Sequence, residues 1–406
     1  MTSERPSPLA TMPGCGAAMA AVVGAGPAAT ATATPGVRLH ELDAMRSVLM
    51  LLGVVLHATN PYGLDADWLV ADASRSALLE ALATAIHAFR MPAFFVVAGY
   101  FSMLLLGRQS APGFLRERLR RTLLPALAVL LSFNLVQVWF LAPAAPVDGF
   151  WRGALLPALL RGDWLGHLWF LVDLALYCVA LAGLRPWLAA RAGGQARALL
   201  AWPHALPVLL AAAALVPLAS AMAAHLAPVM ARPLAGLVHP EELLDHAPFF
   251  AVGCLLQVRP ALLRRFSCAG PGVWLGTGIA WAVLLHLSER SGPAVVVMTI
   301  LARTGLAWCL VRLLFAGFSR WAAAPRPVFR YLSEASYSIY LFHHLCVVVT
   351  ASVLLPMPWA APAKFAVVLA VAALLPLATH HWLVRPHPVM RWLFNGGPRP
   401  AAVPRG

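Results

Sequence analysis

The sequence predicts an all-α fold: a polytopic membrane helix bundle of about ten transmembrane helices, with the N-terminus and the C-terminus both cytoplasmic. Three observations predict it. Of 406 residues, 61% are hydrophobic and 11% charged, with a mean hydropathy of +0.76. A soluble chain carries about 25% charged residues, so lipid must solvate much of this one. The apolar residues come in long runs instead of one stripe per helix, and they do not alternate as barrel strands would. The basic residues crowd every second loop. Together these exclude a soluble enzyme, a DNA-binding protein and a single-anchor receptor.

A hydrocarbon layer takes roughly 20 residues of helix. Ten stretches meet or approach that length, at about 44–59, 91–107, 122–142, 165–183, 206–225, 246–258, 273–288, 294–315, 335–355 and 364–384, the first and sixth being short. A re-entrant or interfacial helix between 75 and 90, or between 150 and 161, would raise the count. Residues 1–37 differ in kind: Ala, Pro, Gly and Thr dominate and no bulky apolar run inserts, so a disordered cytoplasmic tail is expected, not a signal peptide. Residues 38–395 form the membrane domain, and 396–406 a short basic tail.

The formal charge of +14 would suggest nucleic acid if it formed one block. It does not. Arg108, Arg116, Arg118, Arg120 and Arg121 share one loop, Arg259, Arg264 and Arg265 another, and Arg312, Arg320, Arg326 and Arg330 flank a third, while the intervening loops are slightly acidic. This is the positive-inside asymmetry, and it places an even number of spans between two cytoplasmic ends. The six cysteines are scattered with no CxxC pair, so they read as apolar fillers and no metal site is expected. No HExxH, Walker loop or GxSxG motif appears.

Charges are scarce, so a polar side chain inside a span marks a functional site by default. Eleven residues separate Arg46 from His57. On a helix this is three turns plus about 20°, so both project from one face about 16 Å apart, together with Gly53, where another group can come close. Asp43 sits one turn before Arg46. His87 and Arg90 share a helix face ahead of Pro92 and the apolar run that contains Gly99 and Tyr100. His167 and Trp169 open the fourth span, and Asp173 within it needs a partner, for which Arg303 is the candidate. Ser336, Tyr340 and one of His343 and His344 form a polar stripe. The two adjacent histidines point about 100° apart, so at most one is expected to face a shared site. His380 and His381 read as interfacial.

At this point the residues resemble the acyltransferase 3 family of integral membrane acyltransferases, and within it the branch of osmoregulated periplasmic glucan biosynthesis protein C, a succinyltransferase. The resemblance runs over most of 38–395. It rests on Leu42-Asp43-Ala44-Met45-Arg46 followed by His57, on His87-Ala88-Phe89-Arg90-Met91-Pro92 running into Gly99-Tyr100-Phe101, on His167-Leu168-Trp169-Phe170-Leu171, and on Ser336 to His344. The family often has a Glu shortly before a C-terminal proline; Leu383-Val384-Arg385-Pro386 has none.

The resemblance implies a multi-pass protein of the bacterial inner membrane that moves an acyl group from cytoplasmic acyl-CoA to an envelope carbohydrate, with Arg46 and His57 essential and no bound cofactor. Within that frame His57 is the expected general base, with His87 as its alternative. Arg46, Asp43, Arg116, Arg118, Arg120 and Arg121 are expected to hold the phosphates of acyl-CoA. Arg90 is expected to hold a succinyl carboxylate or the oxyanion. Succinyl-CoA and a periplasmic glucan are the favoured substrates, and O-acetyl transfer to lipopolysaccharide, peptidoglycan or exopolysaccharide is the runner-up. A secondary transporter or exporter would also place Arg, His and Asp in spans, though no duplicated broken helices appear. An intramembrane hydrolase using Ser336 or Ser338 is the weaker rival.

Overall fold

The computed structural model describes residues 39–64, 67–142, 149–161, 164–191, 204–226 and 237–397. The expected tail at 1–37 and nearly all of that at 396–406 lie outside the described residues. Among the described residues the ordered structure is helical and contains no β-strand. In chain order the helices are α1 (His40–Thr59), α2 (Ala77–Leu106), α3 (Ala111–Val129), α4 (Leu135–Leu141), α5 (Leu156–Arg161), α6 (Trp169–Arg191) and α7 (Ala205–Leu226). They continue with α8 (Pro240–Val258), α9 (Pro260–Phe266), α10 (Pro271–Leu287), α11 (Pro293–Trp321), α12 (Pro327–Leu354), α13 (Ala361–Thr379) and α14 (Pro388–Asn395).

Each of the ten predicted spans falls on these helices, but not all ten qualify as spans by length and apolarity. Eight do, and nine if the bent pair α9–α10 counts as one. The remainder is α8, whose 19 residues begin with Glu241, Glu242 and Asp245. Those three acids lower its apolarity below that of a lipid-facing helix. The stretch 75–90 is no separate re-entrant helix: α2 runs unbroken from Ala77 through Pro92 to Leu106.

Proline sets many of the boundaries. It stands in the first turn of α8, α9, α10, α11, α12 and α14, where its missing N–H is no loss. Pro125 and Pro376 lie inside α3 and α13, each ahead of a π-helical turn, at Leu130–Asn134 and His380–Val384. The first of these turns is tied down from outside: Asn134 Nδ2 donates to the carbonyl of Trp164 at 2.8 Å, and Trp164 Nε1 donates to that of Leu130 at 3.2 Å. Backbone groups freed in a membrane helix are thus re-satisfied within the protein.

The bundle is sorted by depth. In the spans of α1, α2, the α6 region and α12, 61–67% of residues are buried within the protein, against 22–33% in those of α3–α4, α7, α11 and α13. The first set forms the interior and the second meets lipid, which explains exposed Leu131, Trp139, Leu215 and Leu374.

The closest approach in the interior is between α2 and α8. A Cβ added at Gly99 would stand 2.1 Å from the carbonyl oxygen of Phe250, and one added at Gly253 would stand 2.0 Å from that of Val96. Both collisions are with backbone, which cannot swing aside as a long side chain can. Cys254 Sγ also donates to the carbonyl of Gly99 at 3.4 Å. Small residues permit such contact between membrane helices, so Gly99 serves helix packing and does not line a cavity. Gly253→Val is expected to cost about 1–3 kcal/mol or more and to lower the thermal stability of detergent-purified protein. A melting curve equal to that of the unaltered protein would refute the account of this crossing.

A loop feature invisible to periodicity anchors the other side of the bundle. Lys364 on α13 donates to Asp72 at 2.7 Å, and each side chain is 2% exposed. Asp72 also accepts from the Ser74 amide at 2.8 Å, and Ser74 Oγ accepts from the Ala361 amide at 2.9 Å. The segment after α1 is thereby clamped to the start of α13.

Candidate active site

Four histidines from three separate stretches meet beside the end of α1. His57 projects from α1, His343 and His344 from α12, and His167 from the 3-10 turn Gly166–Leu168, where Gly166 takes a left-handed φ of 51°. The His57 ring centre lies 5.2 Å from those of both His343 and His344, and 6.2 Å from that of His167. His167 stacks on His344 at 4.7 Å with 9° between the planes. Both adjacent histidines therefore reach the site, against the expectation of at most one. Their rings stand 85° apart, but His57 lies between the two directions, within reach of either.

Hydrogen bonds assign the tautomers. The Tyr340 carbonyl accepts from His167 Nε2 at 3.1 Å and from His343 Nδ1 at 2.7 Å. A carbonyl has no proton to give, so the hydrogens sit on those nitrogens and the lone pairs on His167 Nδ1 and His343 Nε2. Both of these nitrogens are buried without a hydrogen-bond partner, as is His57 Nδ1. His344 Nδ1 bonds Gln137 Oε1 at 2.7 Å. Tyr340 closes the arrangement by donating its hydroxyl to the His167 carbonyl. The titratable groups around His57 are His343, His344, His167 and Arg90. None of these neighbours is a carboxylate.

Arg90 occupies a notch in α1. A Cβ at Gly53 would lie 2.5 Å from its Nη1, so this glycine makes room for the guanidinium. Pro92, two residues on, leaves the Ala88 carbonyl without its helical donor, which loosens α2 beside His87 and Arg90. His57, His87, Arg90, His167 and Trp169 together line a cavity of about 210 Å³. A wider cavity of about 730 Å³ shares His87, Trp169 and Asn60 with it and adds Glu242, Asp245, His246 and Arg303. Asn60, with its amide turned to satisfy both neighbours, donates to the Leu56 carbonyl and accepts from Trp68 Nε1. Trp68 in turn packs edge-on to His344 at 5.8 Å. The clamped loop therefore roofs the histidine cluster.

At the other end of α1, Arg46 donates to Ser333 Oγ at 2.7 Å, pairs with Asp43 at 3.7 Å and lies 5.7 Å from the centre of the Phe101 ring. A third cavity, of about 410 Å³, opens there between Asp43, His40, Arg326, Arg330, Tyr331 and Arg385. In the sequence those arginines read only as topogenic charge. The expected phosphate ligands Arg116, Arg118, Arg120 and Arg121 do not line it. Arg121 pairs with Glu117 at 2.8 Å, Arg118 lies over the Phe114 ring, and Arg116 is exposed.

Three other expectations change. Asp173 is 2% exposed and its Oδ2 has no hydrogen-bond partner, but no ion pair joins it to Arg303 among the described residues. It faces Glu242 and Tyr177, while Arg303 stands exposed on α11 at the wider cavity. Ser336 and Tyr100 are buried in the core and line none of these cavities. His380 is packed among helices and not exposed at the end of its span: it is 1% exposed, and its Nδ1 bonds Ser338 Oγ at 2.9 Å, which donates to Asn395 of α14. Ser338 thereby ties α12 to α14, and neither Ser338 nor His380 lines any of these cavities. Although four histidines cluster here, no three His, Cys, Asp or Glu side chains are placed to hold one metal ion among the described residues.

A family profile described as an acyltransferase domain matches residues 39–381. Among curated proteins, glucans biosynthesis protein C of Salmonella typhi and of Salmonella typhimurium are each 29% identical over 337 residues, covering 77% of this chain and 83% of theirs. The corresponding protein of Salmonella paratyphi A matches to the same extent. No solved structure is similar.

Proposed function

The chain belongs to the acyltransferase 3 family, and from that premise we propose that it moves a succinyl group from cytoplasmic acyl-CoA to a hydroxyl of a periplasmic glucan, across the bacterial inner membrane. The observation that carries this reading is the pairing of His57 and Arg90 in one cavity, at the opposite end of α1 from Arg46 and a basic cavity. The charge asymmetry of the loops supports a cytoplasmic Arg46 end. The name of the Salmonella relatives supports the glucan.

The nucleotide of acyl-CoA then sits at the Arg46 end, where Arg326, Arg330 and Arg385 supply forked donors for its phosphates. Arg118 lies within electrostatic range of Arg46 and extends that positive field. The pantetheine arm reaches along α1 and presents the thioester to the histidines. His57 takes the proton of the glucan hydroxyl as its oxygen attacks the thioester carbon. Arg90 stabilises the tetrahedral oxyanion or holds the free succinyl carboxylate. The intermediate collapses with cleavage of the carbon–sulfur bond, and the leaving thiolate takes up the proton that His57 carries.

Mass spectrometry of periplasmic glucans from cells with and without this protein tests the reading. The increment of a succinyl ester should vanish with the protein. Loss of acetyl esters from another envelope glycan would transfer the reading to O-acetylation, and unchanged glycans would end it.

The Gly53 notch gives a second test. Gly53→Ala should push Arg90 aside and lower transfer about 10- to 100-fold, since a misplaced catalytic group costs that much, with little change in thermal stability. Transfer at the original rate would remove Arg90 from the reaction.

A further inference from the structure

The wide cavity beyond the histidines does not end where the 730 Å³ volume does. A neighbouring cavity of about 700 Å³ shares Thr84, Trp281, Leu284 and Arg303 with it and reaches the turn at Arg290–Gly292. A small-molecule pocket is typically about 300–1,000 Å³, so either part alone would hold a small ligand and the two joined exceed that. The result is a long cleft with a narrow catalytic end at His57 and an open distal end.

Its lining has the chemistry of a sugar chain. Trp169 stands at the catalytic end and Trp281, 42% exposed, where the two volumes join; indole faces pack on the apolar faces of pyranose rings while leaving the hydroxyls free. Glu242 and Asp245 border the space between them, and Asp245 Oδ1 is buried with no hydrogen-bond partner. Carboxylates accept hydrogen bonds from hydroxyls. His246, beside them, is held by its Nδ1 bond to the Glu242 carbonyl at 2.8 Å and by packing on Trp169, while Arg303 and Arg290 are the cations of the cleft.

We infer that this cleft is an extended acceptor subsite for a hydroxyl-rich chain of several sugar units, gripped by Trp281 at its distal part and hydrogen-bonded by Glu242 and Asp245 between the two indoles. The inference rests on the acyl-transfer reading and specifies its acceptor.

The test uses the full-length protein in detergent, with acyl-CoA and β-glucan oligosaccharides of two and of about eight units. Trp281→Ala should raise KM for the long neutral acceptor about tenfold, raise it less for the disaccharide, and leave KM for acyl-CoA unchanged. Glu242→Gln combined with Asp245→Asn should raise KM for both oligosaccharides and leave that for acyl-CoA unchanged. An unchanged acceptor KM in Trp281→Ala, or a loss equal for both chain lengths, overturns the subsite while leaving the acyl-transfer reading in place. Transfer to none of these sugars by the unaltered protein overturns both.

Discussion

Replacing His57 by alanine is expected to lower acyl transfer by about 10²–10⁴-fold, the usual contribution of a positioned general base, while the protein remains folded and binds acyl-CoA. The fold should survive because His57 lines a cavity and its Nδ1 has no hydrogen-bond partner, so truncation leaves no polar group newly unpaired. Binding should survive because the basic cavity lies at the other end of α1. The measurements are single-turnover transfer with purified protein, and acyl-CoA binding by calorimetry. His87 also lines the cavity, and His87→Ala serves as the comparison. If His87→Ala is the dead variant and His57→Ala retains most transfer, His87 is the base. The tautomers held by the Tyr340 carbonyl give His57 neighbours with lone pairs directed inward, an arrangement His87 does not share.

Asp72→Ala carries the second large effect, on stability. Lys364 would keep its ammonium at a site 2% exposed with no counterion, and breaking one half of a buried pair costs about 3–5 kcal/mol. The thermal transition of purified protein should fall sharply. Replacing both residues by apolar ones of similar volume, Asp72→Leu with Lys364→Met, should recover most of that loss, since the desolvation cost disappears with the charges. Activity separates the two roles of the clamp. The double variant should be stable yet slower, because Trp68 above His344 depends on the same loop. An unshifted transition in Asp72→Ala would show that the pair contributes nothing.

The site was legible in the sequence wherever one helix carried it. Arg46, Gly53 and His57 share a face of α1 by helical spacing alone, and Arg90 stands three residues after His87 for the same reason. The structure adds what fills the space beside Gly53: the Arg90 guanidinium. Spacing failed where the partner lay far along the chain. His167 bonds the Tyr340 carbonyl 173 positions away, and Lys364 meets Asp72 across 292. Asp173 and Arg303 looked like partners because both are charged and within spans. One faces the interior beside α8 and the other the exposed side of α11, a difference of helix rotation that a list of spans does not contain.

The sequence by itself determined the helical membrane architecture, the order of the spans and the shared face of Arg46 and His57. Each of these follows from a local property: transfer of apolar side chains into lipid, the cost of buried charge, and the 100° step of the helix. Only the tertiary structure decided which helix lies against which. The backbone contact at Gly99 and Gly253 sets α8 against α2, and this places Glu242, Asp245 and His246 beside the histidines. Packing rotates both His343 and His344 toward His57. Those choices depend on complementary surfaces hundreds of residues apart, and no single stretch of sequence encodes a surface made by two.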